Sequence, residues 1–286
     1  MGIRATNMSR IVKECRDTCK KEILMERKPY VGITGFDHQS QPQQILLEIP
    51  AMSDRYFMAG VLASDKSLQG LPTKHPHRYP RVADIGNIFI DSTALNLIHY
   101  HTDTPVAASL LSQMLRIRRY GLSHCHGLQL NVTWPARAAL HAYKHRFPDD
   151  VLVLQCGKEA LAEVGLYSGK IRKPLALVAL TDRIASYGDS VDYVLLDTSG
   201  GENQLVDVPL MRACLTALYE RNVYPLLGFA GGLTIETLRY IALTGLFSEF
   251  PDVSIDAEGG LRDEHDCFDM TKAISYYRTA HFYLSV

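Results

Sequence analysis

The chain has 286 residues, of which 47% are hydrophobic and 21% are charged, with 30 lysines and arginines against 31 aspartates and glutamates. This length and composition predict one large globular domain, and the near-zero net charge excludes the strongly cationic surface of general nucleic-acid or anionic-membrane binders. No apolar run approaches the ~18 residues that a membrane-spanning helix needs. We therefore expect neither nucleic acid nor membrane among its partners.

The first segment of the chain is typical of a helix rather than of a targeting signal. Within residues 3–28, apolar side chains recur at helical spacing: Ile11, Val12, Cys15, Cys19, Ile23 and Leu24. The segment lacks the apolar core and cleavage site of a secretory signal. Six scattered cysteines in a chain of this size predict free thiols in a reducing compartment. We predict a helical extension at 1–28, a folded domain at 29–286, and a cytoplasmic location.

From Tyr30 onward, short apolar runs alternate with helical patterns, which is typical of β-α units around a parallel sheet. The eight predicted strands are Tyr30–Thr34, Phe57–Ser64, Leu95–His101, Leu128–Val132, Val151–Gln155, Asp192–Asp197, Tyr224–Phe229 and Val253–Ala257. The helical patterns cover Gln43–Glu48, Val82–Phe89, Pro105–Arg119, Ala136–Arg146, Lys158–Val164, Pro174–Tyr187, Pro209–Glu220, Thr234–Leu243 and Phe268–Thr279, and a long polar loop fills Asp65–Pro80. Eight strands with eight crossovers predict an α/β fold, a closed (β/α)₈ TIM barrel.

Two glycine pairs follow the last two predicted strands. Gly231 and Gly232 come after the seventh strand, and Gly259 and Gly260 after the eighth. In this fold the loops at these two positions commonly bind phosphate. Glycine lets backbone N–H groups approach an anion closely, and a following helix N-terminus favours negative charge. The pairs predict a phosphate site, with tight turns that bind nothing as the alternative.

Asp197 ends the sixth predicted strand, after four apolar residues. A carboxylate at the barrel mouth is half desolvated, so its pKa can rise enough for general-acid catalysis. Periodicity alone favours equally a structural aspartate that accepts N–H bonds from its own glycine-rich loop.

Asp197 with its loop, the segment Gly228–Leu233 and the segment Val253–Gly260 together resemble phosphoribosylanthranilate isomerase, and the resemblance extends over most of residues 30–280. Two weaker similarities concern substrate contacts. Gln129-Leu130-Asn131 is similar to the family's Q-L-H-G motif, with Asn131 in place of histidine. Arg78, before Tyr79, is similar to an arginine that contacts substrate in that family.

The resemblance implies an Amadori rearrangement of a small phosphorylated aminosugar, a step of the tryptophan-biosynthesis type, with no cofactor and no metal. In that family an aspartate protonates the ring oxygen and a cysteine removes the C2 proton. Asp197 matches the acid, but Thr34 stands where the family has its cysteine. A thiol with a pKa of ~8.5 is partly ionised near neutrality and a threonine hydroxyl is not. The resemblance therefore leaves the base open among Asp37, His38 and Asp256.

Other functions stay open. The alternative to an enzyme is a non-catalytic barrel that binds a phosphorylated ligand, and self-association into a homo-oligomer is open in both cases. His99 and His101 lie on the same face of a predicted strand, where they could bind a metal such as zinc. A metal-dependent hydrolase would need further ligands from later strands, and the sequence offers few there. Cys156, at the end of the fifth strand, is either a displaced base or an inert buried thiol.

Overall fold

The computed structural model describes residues 27–90, 94–103, 107–167, 173–199, 206–223 and 225–285. The helical extension predicted for 1–28 lies outside these ranges, apart from Arg27 and Lys28, which precede the first strand without regular secondary structure. Among the helices of the described ranges, none is both long and apolar enough to cross a membrane.

Eight parallel strands close into a barrel in sequence order, with the first strand paired to the second and to the eighth. They are β1 (Tyr30–Thr34), β2 (Tyr56–Ser64), β3 (Leu95–His101), β4 (Gly127–Asn131), β5 (Val151–Cys156), β6 (Tyr193–Asp197), β7 (Leu226–Ala230) and β8 (Ser254–Ala257). The predicted (β/α)₈ barrel is confirmed. Parallel strands are buried on both faces, so their sequences are short continuous apolar runs that are easily located.

Helices follow the strands around the outside of the barrel. They are α1 (Ser40–Glu48), α2 (Asp65–Leu68), α3 (Ile85–Ile88), α4 (Ala107–Tyr120), α5 (Arg137–Arg146), α6 (Lys158–Glu163), α7 (Lys173–Ala185), α8 (Val208–Glu220), α9 (Ile235–Leu243), α10 (Leu246–Glu249) and α11 (Met270–Leu284). The loop predicted at Asp65–Pro80 begins with α2. The hydroxyl of Ser64 accepts the amide N–H of Ser67, and the hydroxyl of Ser67 accepts that of Ser64. This two-serine cap lacks the glutamate or glutamine that usually marks a capping box in sequence.

Side chains of the strands alternate between two hydrophobic regions. Those pointing outward, such as Ile33 and Val194, pack against the helices. Those pointing inward fill the barrel itself: Tyr30, Met58, Leu95, Leu97, Val153, Tyr193, Leu195 and Ala230. Because strand side chains have a period of two, the next inward position after Leu97, Val153 and Leu195 is polar in each case. The apolar interior is thus topped by a polar layer at the carboxyl ends of the strands.

Candidate functional site

A cavity of about 70 Å³ lies in this polar layer. It is lined by Arg78, His99, Gln155, Asp197, Ser199, Ala230, Gly231, Gly232, Asp256, Glu258 and Gly259. A larger cavity of about 430 Å³ lies at the opposite end of the barrel, around Arg27, Tyr56 and Lys144. We take the smaller one as the candidate site, because catalytic groups of this fold lie at the carboxyl ends of the strands and the predicted residues converge there.

Asp256 is the buried centre of the site, with 3% of its surface exposed. The Thr34 hydroxyl donates to this carboxylate, with its oxygen 2.9 Å and 3.0 Å from Oδ1 and Oδ2. The Gln129 amide Nε2 donates to Oδ2 at 2.9 Å. Neither Thr34 nor Gln129 lines the cavity. Both residues therefore hold Asp256 from positions outside the cavity lining.

The environment of Asp256 gives its carboxyl group an unusual proton affinity. Burial raises the pKa of Asp256 to about 7, and the hydrogen bonds from Gln129 and Thr34 partly oppose this effect. The negative charges of Glu258 and Asp197 raise the pKa further. A group with this pKa exchanges protons readily near neutral pH, which suits a general acid or base.

Asp197 faces both the cavity and its own loop. Its Oδ1 accepts the backbone N–H of Ser199 at 3.0 Å and the Ser199 hydroxyl at 2.8 Å. Its Oδ2 accepts the Gln155 amide at 3.0 Å. Both predicted environments of Asp197 are present together, since one oxygen is held by the loop while the side chain lines the cavity.

The two glycine loops meet beside these carboxylates. Gly231 has a φ of +91°, and a Cβ there would lie 2.1 Å from Asp197 Oδ1. A Cβ on Gly260 would lie 2.2 Å from the carbonyl oxygen of Leu233, so the loops after β7 and β8 touch. Among the described residues, the amide N–H groups of Gly231, Gly232, Gly259 and Gly260 make no backbone hydrogen bond outside the regular helices and strands. Backbone N–H groups in such loops can bind an anion.

Arg78 connects the loop after β2 to the loop after β8. Its Nη1 donates to Glu258 at 2.9 Å, and its Nη2 to Asp266 at 2.6 Å. The Arg78 guanidinium holds the pKa of Asp266 below its usual value, and His75, 3.1 Å from the same carboxylate, acts in the same direction. Arg78 lines the cavity, as the resemblance implies for a substrate contact, but with its charge already balanced.

The other candidate bases and the thiol lie away from the cavity. Asp37 and His38 are exposed before α1, where Gln41 and Ser40 bind them. Cys156 is fully buried in the layer between strands and helices, and burial raises the pKa of its thiol. Of the three groups considered as replacements for the cysteine base, Asp256 is the one that lines the cavity.

His99 and His101 do not converge. His99 points into the cavity, where burial lowers its pKa and keeps the imidazole neutral. His101 is exposed, with Nδ1 2.9 Å from the carbonyl oxygen of Asn131 and Nε2 3.1 Å from Asp103. Asn131 itself is half-buried and does not line the cavity. Across the described part of the chain, no three histidine, cysteine or acidic side chains are grouped as a metal site.

Sequence reasoning considered His99 only as a metal ligand, and it assigned no role to the cavity residues Gln155, Ser199 and Glu258. Strand alternation could have found Gln155, because it lies two positions after the inward-facing Val153. Ser199 and Glu258 lie in loops, where periodicity carries no such signal.

No family model matches the sequence, and a search of curated proteins finds no match. Solved structures do match. Phosphoribosyl anthranilate isomerase from Thermus thermophilus is 14% identical, with a TM-score of 0.57 over 88% of this chain and 98% of that one. The Thermotoga maritima isomerase is 15% identical, with a TM-score of 0.56 over 88% and 99%.

A putative alpha-L-fucosidase from Bacteroides thetaiotaomicron matches equally well, with 9% identity and a TM-score of 0.57 over 91% of this chain and 95% of that one. An isomerase and a putative fucosidase therefore resemble this chain to the same degree. At such identities the likeness shows a shared fold. The chain is a TIM barrel.

Proposed function

We propose that this barrel is an acid–base enzyme for a small phosphorylated sugar-type substrate, an isomerase or lyase similar to phosphoribosylanthranilate isomerase. The observation that carries the proposal is that Asp197 and Asp256 line one cavity together with the glycine loops. Two carboxylates beside the backbone amides of two glycine loops supply what a proton transfer on a phosphorylated sugar requires.

Asp256 takes the role of the base that the family assigns to cysteine. Its pKa of about 7 leaves a large fraction ionised near neutral pH, so it can remove a proton from a carbon next to an iminium. Thr34 occupies the family's cysteine position in sequence and supports Asp256 through its hydroxyl. In this proposal the base lies on β8, whereas the family has its base at the end of β1, and both positions face the same end of the barrel.

Asp197 takes the role of the acid. Its Oδ2 is held by Gln155 and its Oδ1 by Ser199, so the carboxyl group has a fixed position at the cavity wall. In the proposed rearrangement it protonates the ring oxygen of the sugar, the ring opens to an iminium, and Asp256 removes the C2 proton. One proton is given and one is taken, which leaves the substrate isomerised and its total charge unchanged.

The amides of Gly231, Gly232, Gly259 and Gly260 bind the phosphate in this proposal. Backbone N–H groups of neighbouring glycine loops favour an anion, and they bring no counter-charge of their own. Arg78 contacts the remainder of the substrate once its ion pairs with Glu258 and Asp266 rearrange.

A non-catalytic phosphate-binding barrel is the second candidate. Two observations favour it, namely the engagement of Asp197 Oδ1 within its own loop and the balanced charge of Arg78. In that case the anion site persists and the carboxylates have structural roles only.

Turnover and phosphate binding together decide between these candidates. Purified protein is assayed on phosphoribosylanthranilate and a panel of phosphorylated aminosugars, and inorganic phosphate binding is measured by calorimetry. For the enzyme we expect Asp197→Asn and Asp256→Asn each to lower kcat by about 10²–10⁴-fold while phosphate affinity stays within about threefold. Asp189→Asn, on an exposed aspartate at the opposite end of the barrel, is the matched control. Parent protein that binds phosphate without any turnover would support the binding barrel, and absence of both would reject the two candidates.

A further inference from the structure

Gln129 has an uneven set of hydrogen-bond partners. Its Nε2 lies 2.9 Å from Asp256 Oδ2, 3.4 Å from His99 Nδ1 and 3.4 Å from Gln155 Oε1. An amide nitrogen carries two hydrogens, so three acceptors compete for two donors. Within the described residues, Gln129 Oε1 is buried and has no partner at all.

A buried amide oxygen without a partner is uncommon, because its desolvation is uncompensated. Gln129 is 1% exposed and does not line the cavity. A proton bound by one of the three acceptors around Nε2 can supply the missing donor. The acceptor best placed to take that proton is Asp256, whose oxygen is the nearest of the three.

We propose that Gln129 is a positioning residue with two orientations, one for each protonation state of Asp256. In the orientation seen here, Nε2 donates to the carboxylate. When Asp256 gains a proton, the terminal amide turns by about 180° and its Oε1 accepts the carboxylic O–H. The inference deepens the proposed function, since it describes how the base is supported before and after it takes a proton.

The turn of the Gln129 side-chain amide also links Asp256 to the opposite side of the site. After the turn, Gln129 Oε1 would face Gln155 Oε1, so Gln155 is expected to turn in response and to present its oxygen to Asp197. A proton on Asp256 would then weaken the hydrogen bond that holds Asp197.

Gln129 itself does not titrate, but several titratable groups lie around Asp256, and each of them influences its protonation separately. They are His99 on β3, Asp197 on β6, Glu258 after β8, and the buried hydroxyls of Tyr30 on β1 and Tyr276 on α11. Burial raises the pKa of both tyrosines, so they remain neutral across the range in which Asp256 titrates. Because the two hydroxyls do not change charge in this range, they produce no pH-dependent signal that could be mistaken for the turn of the Gln129 amide.

The direct test follows the side-chain amide of Gln129 by NMR, in the parent protein and without substrate. Its NH₂ resonances are assigned by their loss in Gln129→Met, and the Asp256 carboxyl carbon is assigned by its loss in Asp256→Asn. We expect the Gln129 NH₂ resonances to shift with the same midpoint as the Asp256 carbon, and to stop titrating at that midpoint in Asp256→Asn. Resonances that do not change while Asp256 titrates would overturn the proposal.

A second measurement uses the stability of Gln129→Met relative to the parent protein. An amide that serves both protonation states stabilises the fold on both sides of the midpoint, so Gln129→Met should raise the unfolding constant by a similar factor at about pH 5 and about pH 9. An amide that only donates would give an effect confined to the higher pH, and that result would also refute the proposal. Both measurements are independent of catalysis, so a protein that turns over no phosphorylated sugar still tests the role of Gln129.

Discussion

The hydroxyl oxygen of Thr34 lies 2.9 Å and 3.0 Å from the two carboxylate oxygens of Asp256, although the residues are 222 positions apart in sequence. The contact spans the closing pair of the barrel, β1 and β8. A hydroxyl that donates to a carboxylate favours its charged form. Thr34 therefore tunes the group that we propose as the base.

Thr34→Val should move the pH dependence of catalysis upward. The variant keeps the shape of the side chain but removes the hydrogen bond that lowers the pKa of Asp256, so the base ionises at higher pH. We expect the acidic limb of the kcat/KM profile to shift by about one pH unit or less. Thr34→Ser retains the hydroxyl and should match the parent. An identical midpoint in Thr34→Val and the parent would show that this hydrogen bond does not tune the base.

Asp256→Asn should stabilise the fold at neutral and alkaline pH. Because the pKa of Asp256 is raised from its usual 3.8 to about 7 in the folded state, the folded protein binds a proton that the unfolded chain has released. Stability therefore falls as pH rises between these two values and levels off above about 7. The asparagine variant avoids this penalty and should be more stable by about 2–4 kcal/mol at about pH 8, and by much less at about pH 4.

Chemical denaturation of the parent and Asp256→Asn across this pH range measures the difference. Subtracting the two curves removes the contribution of groups that titrate identically in both proteins. A difference that does not depend on pH, or a variant that is less stable at about pH 8, would contradict the raised proton affinity of Asp256.

Gly231→Ala should damage both the fold and phosphate binding. The residue has a φ of +91°, and its new Cβ would meet Asp197 Oδ1 at 2.1 Å and Ser199 Oγ at 2.3 Å. We expect a loss of about 1–3 kcal/mol in stability from backbone strain and this overlap. Gly245→Ala is the matched control, because Gly245 has a φ of +77° with open space around its Cβ position.

Thermal unfolding and calorimetric titration with inorganic phosphate compare the two glycine variants. Gly245→Ala should lose some stability and keep the affinity of the parent for phosphate. Equal phosphate affinity in Gly231→Ala and the parent would mean that the loop after β7 does not hold the anion.

Arg78→Gln should affect substrate binding more than stability. Its ion pairs with Glu258 and Asp266 are partly exposed, and such pairs contribute about 1 kcal/mol or less. If Arg78 contacts the substrate, KM should rise by about tenfold, which corresponds to the loss of one charged hydrogen bond. Arg81→Gln removes a neighbouring exposed arginine that pairs with Asp84 and should leave KM unchanged. Steady-state kinetics on both variants would reveal equal KM values if Arg78 has no such contact.

Much of the barrel could be predicted from sequence, because each buried parallel strand is a short apolar run between polar segments. The boundaries of β1 and β3 coincide with those predicted, and the carboxyl end of β6 falls at Asp197 as expected. The strand ends then indicate which residues approach the mouth. They do not indicate which of them meet across the barrel.

The contacts across the site depend on how far neighbouring strands are shifted along one another. No local sequence pattern records that shift. Gln129 reaches Asp256 across 127 positions of sequence, and Arg78 reaches Asp266 across 188. The resemblance made Gln129 a candidate substrate contact, and the structure shows in addition that its amide holds Asp256. The balance of charge around Arg78 was likewise hidden, because Asp266 lies in a loop after a different strand.

The separation of the barrel interior into an apolar lower layer and a polar upper layer bears on how such a protein can change over evolution. Tyr30, Met58 and Leu195 stabilise the barrel interior and take no part in the proposed chemistry at the strand ends. Polar residues at the strand ends can be exchanged one at a time while that lower packing survives. A proton acceptor can then pass from one strand to another, and the architecture outlasts recognisable similarity between the sequences that form it.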